Sequence, residues 1–405
     1  MHLDAVAQHI ISNTPGNVPA TQSGNADPFT SGGAYRPGAS STGAIGGGGN
    51  VDPFTSGGAY RPGPPSGVPT LGGGAREDPL SAKRYRPGNA PPPAPAAPSA
   101  AFATFDACKH DAVLAKLMQF NAQLAGEIAA GTAASGAAAL DDASAARLVG
   151  VVEALKAGPG STASNGLTTA DLALFIGDGG ASGGMLSWPL PLLFPVLDLL
   201  RLIALHPSAG PFLAAAQPPL LPRLLQLLAS AQALGAADKP AAASALMLLR
   251  TFANCASRKE LRATVASAAS ELLDVLHTPL ESGPTGARLA ALTVMMNLCS
   301  LLSHGGELPA SAALKSDAWT LQALSLIAFA LSSVPALTTP PEEEALHRLL
   351  HALAALVSGH AGAASAAETA RELELPAALA ALALPPTASP AVVAAKERCV
   401  SALKK

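Results

Sequence analysis

Four strongly apolar segments of the chain each carry isolated polar side chains that could recognise a ligand. They read LDLLRLIALHP from residue 197, ALMLLRTFANC from 245, ALTVMMNLCSLL from 291 and ALHRLLHALAALV from 345. Their polar groups are Arg201, Arg250, Asn254, Asn297 and Arg348. An Asn amide can pair with the backbone of a bound peptide, and an Arg guanidinium can fork onto a carboxylate. The pattern predicts peptide recognition if these segments line one groove.

Each of the arginines could instead satisfy a partner within the fold. Arg201 follows Asp198 by three residues, a spacing that allows an ion pair on one helix face, and we favour that pairing for Arg201. Arg250 has no acid within four residues on an obvious shared face, whereas Arg348 has Glu344. For Arg250 and Arg348 we therefore give more weight to the interpretation that the side chain is exposed in a binding groove.

The two asparagines leave both interpretations open. Asn254 lies one helical turn after Arg250, so the two side chains share a face that suits neighbouring contacts on one ligand. Asn254 and Asn297 could equally bond to adjacent helices in a packed core.

Patterns typical of catalysis or metal binding are missing from the sequence. It contains no GxSxG elbow and no Walker-type loop, and the glycine run at 46–49 has no strand before it. His347 and His351 have the spacing of two ligands on one helix, with His360 further on, but Arg348 stands where a metalloprotease would have Glu. We expect no enzyme activity, no metal and no cofactor.

The cysteines and the net charge further restrict the functions that the sequence allows. Cys108, Cys255, Cys299 and Cys399 form no CxxC pair, and we expect them to fill the core as small apolar residues. The net charge of -3 provides no basic stripe for phosphates, so nucleic acid is not an expected partner.

No segment has the character of a membrane span or a secretory signal. The most apolar stretch, Leu186 to His206, is interrupted by prolines and by Asp198 and Arg201. Met1 to Thr14 lacks the charged start and the uninterrupted apolar run of a signal peptide. These features predict a soluble intracellular protein, and the location that we expect for it is the cytoplasm and nucleus.

Helical signals recur from about Phe102 to Leu403, and they define the elements that must position the polar groups. The four apolar segments begin at residues 197, 245, 291 and 345, close to the period of about 40 to 47 residues of armadillo or HEAT repeats. A helix without a polar face belongs in the middle of a stack. Further helices are predicted over 106–129 (capped by Asp106), 141–157 (capped by Asp141 or Asp142), 211–233, 257–277 and 311–333. The fold class is therefore all-α, an α-solenoid with an extended concave surface.

Residues 16–100 are rich in Gly, Pro, Ser and Thr, a composition that cannot bury enough apolar surface to fold. DPFTSGGAYRPG occurs twice in this tract, from Asp27 and from Asp52, and a shorter copy, DPLSAKRYRPG, begins at Asp78. The exposed aromatic residues of these repeats suggest docking, and a duplicated spacer explains them equally well.

The repeats, the segment VAQHIISNTPG at 6–16 and the ordered series LDLLRLIALHP, LLRTFANC and the Asn297 segment resemble the phospholipase A-2-activating protein family, also called the ubiquitin-fusion-degradation adaptor family. The resemblance implies three parts: the last helix of a PFU domain at 1–15, a disordered linker at 16–100 and an armadillo-like PUL domain at 101–405.

The resemblance also implies a function. A PUL domain of this family binds the C-terminal tail of the AAA ATPase called valosin-containing protein, which makes the chain an adaptor in ubiquitin-dependent protein degradation. Arg250, Asn254, Asn297 and Arg348, with Arg201, would be the groove contacts for that acidic and aromatic tail.

This sequence departs from the family pattern at its start. The family's WD40 propeller and most of its PFU domain have no counterpart here, which weakens the expectation of ubiquitin binding. The alternative function is a general helical-repeat scaffold that binds another peptide and has no link to ubiquitin.

Overall fold

The computed structural model describes residues 102–134, 136–158, 166–177, 184–304, 314, 316–334, 337 and 339–404. The predicted PFU remnant at 1–15, the linker at 16–100 and its three repeats lie outside the described residues. The described residues form fifteen α-helices: α1 His110–Ala129, α2 Asp142–Ala157, α3 Thr169–Ile176, α4 Phe194–Ile203, α5 Gly210–Ala214, α6 Leu220–Leu234, α7 Lys239–Ser257, α8 Lys259–Ser267, α9 Ala269–Ser282, α10 Thr285–Leu301, α11 Asp317–Ser332, α12 Pro340–Leu356, α13 Ala363–Glu372, α14 Leu375–Ala381 and α15 Pro390–Leu403.

The four apolar segments became α4, α7, α10 and α12, and these helices pack side by side in one row that α15 extends. In α10, all twelve residues from Ala290 to Leu301 are buried. A helix that is apolar on every side needs neighbours on every side, and the row provides them. The predicted all-α solenoid of the armadillo kind is confirmed.

Helices outside the row complete a repeating unit of three helices. In the units α5–α6–α7 and α8–α9–α10, a short helix and a longer one precede the row helix. In the last unit, α13–α14–α15, two helices also precede α15, but the longer one comes first. The second helices, α6 and α9, pack on α7 and α10 respectively and on each other. Each core is therefore shared between neighbouring units, as in other solenoids.

Side-chain caps fix several helix starts. Asp141 caps α2 by accepting a hydrogen bond from the Ser144 N–H at 2.8 Å, which confirms one of the two caps predicted there. Asp238 accepts from the Ala241 N–H at 2.9 Å and so begins the row helix α7. These bonds satisfy amide donors that a helix cannot satisfy itself.

Three predicted helices differ from the structure. The helix predicted over 211–233 is divided into α5 and α6, because Pro218 and Pro219 lack the N–H donors that a continuous helix needs. The helix predicted over 257–277 is divided at Ala268: α8 packs mainly on α5 and α7, whereas α9 packs mainly on α10, α11 and α6. The first helix begins at His110 and not at Asp106, since residues 102–109 are extended across other helices.

The central row makes a stability prediction. Leu248 in α7 is completely buried, and we expect Leu248→Ala to lower the free energy of unfolding by about 2 to 5 kcal/mol through lost contacts and a cavity. Leu321 in α11 is 48% exposed, so Leu321→Ala is the matched control, with an effect within about 0.5 kcal/mol. Urea unfolding followed by circular dichroism compares the two. Equal losses would contradict the assignment of α7 to the core.

Candidate functional site

An extended segment of the chain lies across the row of helices. This segment, residues 102–107 (the groove segment), precedes α1 and has no helical structure. Its backbone is bound successively by side chains of α10, α7 and α4. The row helices therefore do recognise an extended peptide, and that peptide is part of the same chain.

Asn254 and Asn297 bind the groove segment in the same way. The Oδ1 of Asn297 accepts the Ala103 N–H at 3.0 Å, and its Nδ2 donates to the Ala103 carbonyl at 2.8 Å. The Oδ1 of Asn254 accepts the Phe105 N–H at 2.7 Å, and its Nδ2 donates to the Phe105 carbonyl at 2.8 Å. The backbone N–H and C=O groups of residues 103 and 105 both point towards the asparagines, because alternate residues of an extended chain have the same orientation.

Each asparagine also ties its helix to the preceding row helix. Asn254 Nδ2 donates to the Arg201 carbonyl at 2.8 Å, and Asn297 Nδ2 donates to the Ala253 carbonyl at 2.9 Å. Both amide protons of each side chain are thus used, and both side chains are fully buried. Of the two interpretations left open for Asn254 and Asn297, the structure shows the bonds to adjacent helices, and the peptide that each amide also bonds belongs to the same chain.

Arg201 completes this set, which we call the ladder: Arg201, Asn254 and Asn297. Its Nη1 donates to the Phe105 carbonyl at 2.6 Å, and its Nη2 donates to the Ala107 carbonyl at 2.7 Å. Its Nε donates to the Asp198 carboxylate at 2.6 Å, so the pairing favoured from the sequence is present. A buried guanidinium needs such a counter-charge and a full set of acceptors.

Arg250 and Arg348 flank the ring of Phe105. Their Cζ atoms lie 5.2 and 5.4 Å from the ring centroid, within the range of cation–π contacts. Two hydrogen bonds fix the position of the Arg348 guanidinium: its Nε donates to Glu344 at 2.9 Å and its Nη1 donates to the Thr293 hydroxyl. Two positive groups are thus held at one aromatic ring.

Arg262 of α8 makes the equivalent contact at the start of the groove segment. Its Cζ lies 4.4 Å from the centroid of the Phe102 ring. Phe102, Phe105, Arg250 and Arg262 are half-buried, whereas Arg348 is buried. We call these five residues the strip.

The structure thus brings all five predicted site residues to one face, but it divides them into two sets. Arg201, Asn254 and Asn297 hold the groove segment, and Arg250 and Arg348 contact a side chain of that segment. Four residues of this face were not predicted from the sequence: Phe102, Phe105, Arg262 and Thr293. Two phenylalanines three residues apart after a Pro-Ala tract, in a chain with only 4% aromatic residues, were the available signal.

The histidine and cysteine side chains singled out in the sequence are mostly buried in the packing of the helices. The rings of His347 and His351 lie 5.9 Å apart, and burial lowers the pKa of both. Among the described residues, no group of three or more His, Cys, Asp or Glu side chains could hold a metal ion. Cys255, Cys299 and Cys399 are buried as expected, whereas Cys108 is only half-buried, at 3.9 Å from the Asp198 carboxylate.

Comparison with known families agrees with this architecture. The model of the PUL domain matches residues 97–395. The chain belongs to the PUL domain family. Similarity to the phospholipase A-2-activating protein of Xenopus laevis reaches 57% identity over 42 residues, a match that covers 10% of this chain and 5% of that protein. The matched residues include helices α1 to α14 and the start of α15. None of the helices in the described ranges is long and apolar enough to cross a membrane.

The ladder makes a prediction about the PUL domain's own stability. Asn297→Ala removes three hydrogen bonds and leaves buried backbone groups unpaired, so we expect a loss of about 2 to 4 kcal/mol. Hydrogen exchange of the Ala103 amide should also accelerate. The Leu140 amide, which Asn121 holds at 2.6 Å, is the internal control. Unchanged protection at Ala103 would refute the pairing.

The four cysteines make a prediction about reactivity. Burial raises the pKa of Cys108, Cys255 and Cys399 to about 12, and it also raises the pKa of Cys299. At pH 8, below all of these values, the reactive thiolate form is scarce. We expect Ellman's reagent to label the native protein slowly and to titrate four thiols after unfolding in guanidinium chloride. Rapid labelling of the native protein would contradict this expectation.

Proposed function

We propose that this chain is a non-catalytic adaptor in ubiquitin-dependent protein degradation. It recruits a valosin-containing-protein-type AAA ATPase by binding the acidic C-terminal tail of that ATPase on the face that carries the strip. The single observation that supports this proposal most is the grouping of Arg250, Arg262 and Arg348 around the Phe102 and Phe105 rings.

The chemistry of this face suits an acidic, extended peptide. Arginine side chains contact aromatic rings and bind carboxylates, so this cluster offers positive charge to an acidic peptide. The nearby acids Asp198 and Glu344 are bound to Arg201 and Arg348 within the fold.

Membership of the PUL domain family supports the adaptor role, and the short match to a phospholipase A-2-activating protein agrees with it. The role places the protein in the cytoplasm and nucleus. Ubiquitin binding is not part of this proposal.

Titration calorimetry of the full chain with a synthetic peptide of the ATPase tail tests the proposal. We expect micromolar binding, and we expect Arg250→Glu to weaken it by tenfold or more, since one charge contact becomes a repulsion. Arg348 is a poorer target because it is buried and its loss would disturb the fold.

Arg398→Glu is the matched control, because Arg398 is exposed on α15 and the variant changes the net charge equally. Its affinity should equal that of the parent chain. If the folded parent chain does not bind the tail, the ATPase assignment fails, and a general scaffold for another peptide becomes the working hypothesis.

A further inference from the structure

We infer that a second copy of this chain binds to the outer side of α15, and that the two copies pair through this helix in antiparallel order. The inference concerns the end of the row of helices and not the face that carries the strip. It is independent of the proposed function, and its test needs no tail peptide.

Helix α15 ends the row of helices within the described residues, and only one of its sides is covered there. Its inner side, with Val392, Ala395, Cys399 and Leu403, is buried in the packing with α12, α13 and α14. The outer side carries Val393, which is 38% exposed. The terminal repeat of a solenoid normally has a polar outer face, which keeps the stack soluble. The outer side of α15 departs from that rule.

A groove of about 690 Å³, which we call the end groove, runs along this outer side of α15. The segment 384–388 forms one wall with Leu384 and Pro386, and α15 forms the other wall with Val393 and Val400. Apolar side chains gain free energy when they leave water. The end groove therefore favours an occupant that brings apolar side chains of its own.

The residues on the outer side of α15 are complementary to themselves. Lys396 and Glu397 lie midway between Val393 and Val400, and all four line the end groove. If two copies of α15 run antiparallel about a point between residues 396 and 397, Val393 of each copy faces Val400 of the other. Lys396 of each copy then faces Glu397 of the other. A two-fold axis makes both contacts occur twice, as in the interfaces of symmetric dimers.

The charges in the end groove favour a second copy over another partner helix. The Nζ of Lys396 donates to the Leu382 carbonyl at 2.7 Å, and an ammonium group has further donors for a carboxylate. Glu397, next to it, is exposed. An acidic helix would be repelled by Glu397, and a basic helix would be repelled by Lys396. A second copy of α15 presents both charges in reverse order and so pairs with both.

The affinity that we expect for this pairing is moderate. Burial of the apolar walls supplies most of the free energy, whereas exposed ion pairs contribute little and mainly select the antiparallel register. One helix and one short segment of each copy form a small interface, and small interfaces are typical of weak or transient complexes. The copies should therefore be in a monomer–dimer equilibrium in the micromolar range.

Sedimentation velocity of the full chain across the micromolar range tests the inference. The mass should rise with concentration from the 40.1 kDa of one chain towards twice that value. We expect Glu397→Lys to weaken dimerisation about tenfold, because it sets two lysines of one copy against two of the other. Arg398→Glu reverses a charge on α15 outside the end groove, so this matched control should dimerise like the parent chain. A monomeric parent chain, or undiminished dimerisation of Glu397→Lys, overturns the inference.

Disulfide cross-linking tests the antiparallel order of the two helices. A chain with Val393→Cys is mixed with a chain with Val400→Cys under mild oxidation, and the parent chain gives the background. The mixture should form several-fold more cross-linked dimer than either variant alone. Equal positions of the two helices lie about 10 Å apart along the axis, whereas a disulfide joins Cα atoms within about 7 Å. If one variant alone cross-links as well as the mixture, the antiparallel pairing is wrong.

Discussion

The structure depends on one constraint: the backbone of an extended segment that crosses a packed helical face must have hydrogen-bond partners. Asn254 and Asn297 meet this constraint with one amide each, and Arg201 completes it. Because the same amides bond the carbonyls of Arg201 and Ala253, the groove segment and the order of the row helices are fixed together. Polar side chains inside apolar helices thus hold the groove segment and the row helices of this domain together.

This constraint also separates what is structural from what is available for binding. The same face has a closed set of groups, the ladder, and a partly exposed set, the strip, in which Arg348 alone is buried. The strip depends on the ladder, because Phe102 and Phe105 stand beside the arginines only while their backbone is held. Solenoids typically bind extended peptides with polar side chains of this kind, and here those side chains bind a segment of the same chain.

Much of this arrangement could be predicted from the sequence. Apolar helices at a repeat period predicted the solenoid, and the isolated Arg and Asn residues within them lie together on one face of the row. The break at Ala268 could not be predicted, since it arises from different packing partners of α8 and α9 and no residue there opposes a helix. The binding of the groove segment to the ladder could not be predicted either. The sequence of this segment does not distinguish an internal peptide ligand from the start of a helix, and Asp106 is a residue type that often caps helices.

The central claim is that this face recognises carboxylates on an extended peptide. The most direct test compares the affinity of the full chain for the acidic tail peptide with its affinity for the same peptide after every Asp and Glu is changed to Asn and Gln. The account predicts that the neutral peptide binds at least tenfold more weakly, and that added salt weakens the acidic peptide alone. Equal affinity for the two peptides would contradict it.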